Sequence, residues 1–173
     1  MTIDTRETIT TRIPGFTLRF ASAADVPLIL AFIKELAEYE QLSEEVVADE
    51  ALLAVTLFGK RRTAEVVIGQ YQGEPVSFAL FFHSFSTFLG RPGLYLEDLY
   101  VRPQARGRGI GEVMLAFLAR LAEERGCGRV EWSVLNWNRP AISLYKKLGA
   151  VPMDEWTLYR VSGQALEQLA RRF

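Results

Sequence analysis

The run Gln104-Ala105-Arg106-Gly107-Arg108-Gly109-Ile110-Gly111 sets three glycines and two arginines at the head of an apolar-periodic segment. That combination can hold an anion. Glycine admits backbone conformations closed to other residues and lets a ligand approach the amides. The first N–H groups of a helix lack intrahelical acceptors and sit at the positive end of its dipole, so phosphate is the natural guest. Arg102, Arg106 and Arg108 add charge, with no acid between Leu99 and Gly111. The alternative is a plain tight turn with solvated arginines. No Lys-Ser or Lys-Thr follows, so a nucleoside-triphosphate P-loop is not supported, and Glu112 stands where a dinucleotide fingerprint has its last glycine.

A second chemical feature is the pair Glu97-Asp98 inside the otherwise apolar run Leu94–Val101. Burying a carboxylate without a partner is costly and raises its pKa, which suits proton transfer. Strict alternation puts Tyr95, Glu97, Leu99 and Val101 on one face and Leu96, Asp98 and Tyr100 on the other. The two acids then share a cleft only if a bulge intervenes. Their alternative is bonding to nearby amides or ending the strand in solvent. One cysteine, Cys127, and one histidine, His83, exclude an intrachain disulfide and a Cys/His zinc site. Cys127 between glycines reads as packing, and His83 among phenylalanines reads as structural.

The elements that must position these residues follow from periodicity. Residues 1–14 read as a flexible lead-in and 15–173 as one domain, a size that supports a substantial core. Phe16–Phe20 alternates as a strand, and Ser22 to Asp25 has capping-box spacing before a helix to about Tyr39. A second helix is expected within Glu44–Leu57. Glu65–Tyr71 and Pro75–His83 read as a hairpin joined at Gly73-Glu74. After a turn at Gly90–Gly93, Leu94–Val101 reads as a strand buried on both faces. Ile110, Met114, Phe117, Leu118 and Leu121 recur at helical spacing. A strand is expected at Arg129–Leu135, a helix from Asn138 to Leu148 with Pro140 in its first turn, a last strand at Trp156–Val161 and a helix at Gly163–Arg171. Hairpins mixed with strand–helix–strand units predict an α/β (α+β) fold with a mixed sheet.

Twenty basic against 21 acidic residues leave a net charge of −1, which disfavours a globally basic nucleic-acid binder. The longest apolar run, Val113–Ala119, is far short of the roughly 20 residues a membrane span needs. Thr2–Arg12 is polar and unlike a signal peptide. The expectation is a cytoplasmic protein with no membrane or nucleic-acid partner and no metal.

Gln104-x-x-Gly107-x-Gly109-Ile110-Gly111 resembles the acetyl-CoA pyrophosphate loop of the GNAT superfamily of N-acyltransferases. Asn138-x-Pro140-Ala141-Ile142-x-Leu144-Tyr145-x-Lys147-x-Gly149 is similar to its second signature. Ile33-Lys34-Glu35-Leu36-Ala37-x-Tyr39-Glu40, Leu94-Tyr95-Leu96-Glu97-Asp98 and Trp137-Asn138-x-Pro140 resemble the spermidine/spermine and thialysine acetyltransferase branch. The resemblance implies a mainly antiparallel central sheet flanked by helices on both faces, a homodimer, and acetyl-CoA as co-substrate. It implies cofactor contacts from Leu99, Tyr100, Val101, Gln104, Arg106, Gly107, Arg108, Gly109, Ile110, Gly111, Glu112, Asn138, Pro140 and Ala141, with backbone N–H groups of Leu99–Val101 on the pantetheine arm. Tyr39, Glu40, Glu97 and Trp132 fall on the substrate side, although core packing also accounts for Trp132. Asp154 and Glu155 read better as solvated loop acids.

The implied reaction is direct attack of a primary amine of a small polyamine, diamine or lysine-like molecule on the thioester. An aliphatic amine of pKa near 10.4 is only about 0.1% neutral at pH 7, so an acid such as Glu97 has a proton to remove, directly or through water. Tyr145 is placed beside the sulfur. With tyrosine near pKa 10 and a thiol near 8.5, full transfer is uphill by roughly 2 kcal/mol, so Tyr145 acts mainly by hydrogen bonding to developing charge. The competing readings are acetylation of a protein or antibiotic amine, and a CoA-binding sensor without catalysis.

Overall fold

Phe16–Phe20, with its buried Phe16 and Leu18, is the second strand of a six-stranded sheet in the order β1-β2-β3-β4-β5-β6. The computed structural model describes residues 7–173, and the chain groups into two compact units that divide at Ser133/Val134. The strands are β1 (Ile9–Thr10), β2 (Phe16–Phe20), β3 (Glu65–Tyr71), β4 (Glu74–Ser86), β5 (Arg91–Val101) and β6 (Val130–Trp132). Neighbours are antiparallel from β1 through β5, and β6 runs parallel to β5. Gln72 (φ 51°) and Gly73 (φ 86°) both take the left-handed conformation that a tight β3–β4 hairpin demands.

Alternation along each strand sends successive side chains to opposite faces, and helices cover both. On one face α1 (Val26–Glu40) and α2 (Glu50–Phe58) bring Ile29, Phe32, Leu36, Leu53 and Leu57 against Val66, Ile68, Phe78 and Tyr100. Phe32 stacks on Phe78 with centroids 5.2 Å apart. On the other face α3 (Ile110–Glu124) meets the sheet, with Ser77 Oγ donating to Met114 Sδ at 3.1 Å and Phe117 edge-on to Phe20 at 6.1 Å. The apolar stripe expected from Ile110, Met114, Phe117, Leu118 and Leu121 is wholly buried.

In the second unit, residues 134–173, Asn138 caps α4 (Arg139–Lys147) by accepting from the Ala141 amide at 3.4 Å, and Gly149 (φ 86°) follows the helix end. The remaining helix is α5 (Gly163–Ala170).

Several expectations are corrected. Ile9–Thr10 is a strand paired with β2 rather than a flexible lead-in, while residues 1–6 lie outside the described residues. The β4–β5 reversal occupies 87–90, and Arg91, Pro92 and Gly93 already belong to β5. The strand predicted at Arg129–Leu135 is confined to Val130–Trp132, where β5 supplies its ladder. Trp156–Val161 pairs with no strand among the described residues. Alternation supplies a strand with faces, but only a neighbour satisfies its N–H and C=O groups.

Candidate active site

Across the β4–β5 pair, Leu80 lies opposite Asp98 and the next residue, Phe81, lies opposite Leu96, so Glu97 is the extra residue of a β-bulge. The bulge overturns the strict alternation expected for Leu94–Val101. Directly opposed residues share a face. Leu80 packs with the α1–α2 cluster, whereas Phe81 lies under Arg125 just beyond α3. Asp98 therefore turns with Tyr100 toward α1, and Leu96 turns the other way. Glu97, at the switch, is exposed, so β5 is not buried on both faces.

The consequence is electrostatic. Burial pushes the Asp98 carboxyl up to about 6, and the negative charges of Glu97 and then Glu40 act in the same direction. Burial also raises Glu40, the last residue of α1, where the helix dipole presents its negative end. Among the described residues none of the three forms an ion pair, in contrast to Asp25, Glu35 and Glu65, each of which has an arginine. Glu40, Glu97 and Asp98 make a concentration of negative charge without an ion pair among the described residues, an arrangement chemically able to draw a cation and accept its proton.

Beside this cluster the β5 edge is open. β6 pairs with β5 only over Leu94–Leu96, so among the described residues Glu97–Val101 has no ladder partner on that side. Arg102 N donates to Val76 O, so by alternation the Tyr100 N–H also faces β4, and the N–H groups of Leu99 and Val101 point to the unpaired side, where a ligand bearing amides can meet them. Tyr100 is buried, so its side chain belongs to the core and its N–H to the β4 ladder.

Past Val101 the chain turns through Gln104 to Gly109. Gly107 (φ 75°) and Gly109 (φ 78°) both lie in the left-handed region, and open space surrounds the place where a Cβ on Gly107 would stand. Gly109 is the N-cap of α3 and offers no side chain to the first-turn amides, which leaves them for an outside anion. Ile110 is buried, so it serves the loop through its amide alone. Gln104, Arg106 and Arg108 are exposed, and Gly111 and Glu112 are half-buried. These residues fit a diphosphate.

The three arginines are not equivalent, and the expected positive field is smaller than their number suggests. Arg102 is committed elsewhere: it grips Glu35 with Nε and Nη2 (2.6 Å for the shorter contact), donates Nη1 to Pro75 O at 2.9 Å, and lies over the Phe32 ring at 4.6 Å. Arg106 donates Nε to Val101 O at 2.8 Å and lies over the rings of Tyr39 at 4.7 Å and Tyr100 at 5.6 Å. The glycine loop thus touches the residue next to Glu40. Arg108 lies over Tyr71 at 4.9 Å.

In the second unit, Tyr145 is half-buried on α4, one turn beyond Ala141, and Pro140 is exposed. Trp132, half-buried on β6, lies opposite Leu96. His83 is exposed on β4, and burial raises the Cys127 thiol, the opposite of a nucleophile's requirement. Asp154 and Glu155 are exposed. No group of three or more metal-ligating side chains occurs among the described residues.

A family model described as the acetyltransferase (GNAT) family matches residues 31–150. The chain belongs to the GNAT family of acetyltransferases. This GNAT protein is 38% identical over 164 residues to a thialysine N-epsilon-acetyltransferase of Bos taurus, covering 88% of this chain and 96% of that one. It is 30% identical over 197 residues to an L-ornithine N5-acetyltransferase of Arabidopsis thaliana, covering 88% and 86%. Among solved structures, an integron cassette protein of V. cholerae superposes with a TM-score of 0.76 at 27% identity, covering 91% of this GNAT chain and 98% of the other. The mixed, mainly antiparallel sheet with helices on both faces is the GNAT arrangement.

Sequence reasoning left Asp98 without a role and missed Arg12, which pairs with Glu112. For Asp98 the available signal was two adjacent carboxylates in an apolar run. Arg12 had none, because its partner lies 100 positions away.

Proposed function

We propose that this N-acetyltransferase moves the acetyl group of acetyl-CoA to a primary amine of a small polyamine, diamine or lysine-like substrate. The observation that carries the reading is the bulge at Glu97, which turns Asp98 toward α1 and Glu40 beside the open edge of β5. A molecule with one reacting amine and a second cation finds several carboxylates there. Thialysine and ornithine, named for the two relatives, are both amino acids with a side-chain amine, which agrees with this chemistry.

The residues divide the work as follows. Glu97, exposed on the bulge, and Glu40 bind the incoming ammonium, with Tyr39 beside them. Asp98 accepts the proton, the part that sequence reasoning had assigned to Glu97. A carboxyl near pKa 6 narrows the gap to an amine near 10.4 by about 2 units relative to an ordinary aspartate, or roughly 3 kcal/mol of proton-transfer cost. Backbone N–H groups of Leu99 and Val101 orient the pantetheine arm and polarise the thioester carbonyl. The amides from Gly107 to Glu112, with Arg106 and Arg108, hold the diphosphate, and family likeness assigns further cofactor contacts to Asn138, Pro140 and Ala141. Tyr145 donates a hydrogen bond to the departing sulfur. Acetyl-CoA supplies the activated acyl group, and no protein nucleophile is required.

A panel of amines scored by thiol release tests the reading. Turnover is expected with lysine analogues, ornithine or short diamines and not with monoamines of equal length. Turnover confined to peptide or aminoglycoside amines overturns the substrate assignment. A cytoplasmic homodimer belongs to the same reading on family likeness, and sedimentation as a monomer at micromolar concentration refutes the dimer.

A further inference from the structure

We propose that Arg12, on the turn between β1 and β2, is a functional part of the diphosphate site, and that it acts by neutralising Glu112 in the first turn of α3. The inference rests on the reading of Gln104–Glu112 as the coenzyme A loop and adds to it a residue outside the stretch matched by the family model.

The case begins with an electrostatic conflict. An acid in the first turn stabilises a helix by facing the positive end of its dipole, and Glu112 holds that position in α3. The same positive end is what attracts a diphosphate. A free carboxylate there competes with the ligand for the field and repels its charge. Arg12 removes the conflict, because its Nη2 donates to Glu112 Oε1. Arg102 cannot serve, since Glu35 already holds it.

The placement of Arg12 is built rather than incidental. Thr11 Oγ1 donates to Phe16 O at 2.8 Å and accepts from the Ile13 amide at 3.2 Å. Phe16 N donates to Ile13 O at 3.0 Å, and Gln72 N closes the turn on Gly15 O at 2.8 Å. Ile13 Cδ1 comes within 3.9 Å of the point where a Cβ on Gly109 would stand, so the turn lies directly against the glycine loop. The Arg12 side chain keeps 66% of its surface exposed. Guanidinium carries five N–H donors in a flat fork, and Glu112 is its only acceptor among the described residues. The other edge of the fork remains for phosphate oxygens, the bidentate chemistry at which arginine excels.

Calorimetric titration of the full-length protein with coenzyme A, and with pantetheine as a probe lacking the diphosphate, tests the proposal on wild type, R12A, E112Q and R12A/E112Q. R12A is expected to weaken coenzyme A binding about fivefold or more, the size of one unit charge at several ångströms in a partly solvated site, and to leave pantetheine binding and the unfolding temperature unchanged. Adding E112Q to R12A is expected to recover at least half of that loss on a logarithmic scale. Equal coenzyme A binding by R12A and wild type overturns the proposal and leaves the loop assignment standing. A loss that E112Q does not relieve overturns the neutralising role. Failure of wild type itself to bind coenzyme A overturns the loop assignment instead.

Discussion

Replacing Asp98 with asparagine separates what the bulge costs the fold from what it supplies to the chemistry. The carboxyl titrates at about 6 in the folded protein against 3.8 for an ordinary aspartate. That gap of about 2.2 units corresponds to roughly 3 kcal/mol of stability forgone when the group is charged. Asp98 is not fully buried and asparagine still has polar atoms to satisfy, so D98N is expected to stabilise the protein by about 1–3 kcal/mol at pH 7.5, or a rise in Tm of about 3–9 °C for a chain of this size. The sign follows from linkage. The folded state holds its proton up to about pH 6 and the unfolded state only to about pH 4, so wild-type stability falls as pH rises through that window. The D98N advantage is therefore full above pH 6 and vanishes toward pH 4. Thermal unfolding from pH 4 to 8 reads this directly, and thiol release on the same samples should show activity falling about 100-fold or more. A D98N protein no more stable than wild type at pH 7.5, or one whose advantage persists at pH 4, refutes the electrostatic reasoning. A stabilised variant with undiminished turnover refutes the role of Asp98 as proton acceptor.

Removing a negative neighbour lowers the Asp98 pKa, so E40Q is expected to move the acid limb of the kcat/KM profile to lower pH and to raise KM for a dicationic amine more than for a monoamine. G109A forces a side chain onto a left-handed N-cap (φ 78°) and should weaken coenzyme A binding by about tenfold, measured by calorimetry, with a stability loss of about 1 kcal/mol. Y145F is expected to lower kcat about 10- to 100-fold while leaving the dissociation constant for coenzyme A within about twofold, and an unchanged kcat removes Tyr145 from the chemistry.

The features legible in the sequence are those that local residue types dictate. Gly107 and Gly109 supply the left-handed turn wherever the rest of the chain lies, and the Ile110–Leu121 stripe buries as its period requires. Register is a different matter. Reading Leu96, Asp98 and Tyr100 onto one face assumes that each residue of β5 opposes one residue of β4, and the bulge breaks that assumption at Glu97, within the candidate site. Long-range partners were equally out of reach: Arg102 reads as an anion ligand until Glu35, 67 positions away, takes it. Trp156–Val161 shows the converse, an alternating pattern without a ladder.

The early end of β6 at Trp132 has a price in solution behaviour. Unpaired main-chain groups on a strand edge are a template on which an extended chain can pair, including a neighbour in a concentrated sample. In the proposed placement along Leu99 and Val101, pantetheine, itself a chain of amides, would cover that template. On that placement, saturation with coenzyme A is expected to suppress self-association on storage and to slow amide hydrogen exchange along this strand, a protective cap for the resting protein beyond the supply of an acyl group.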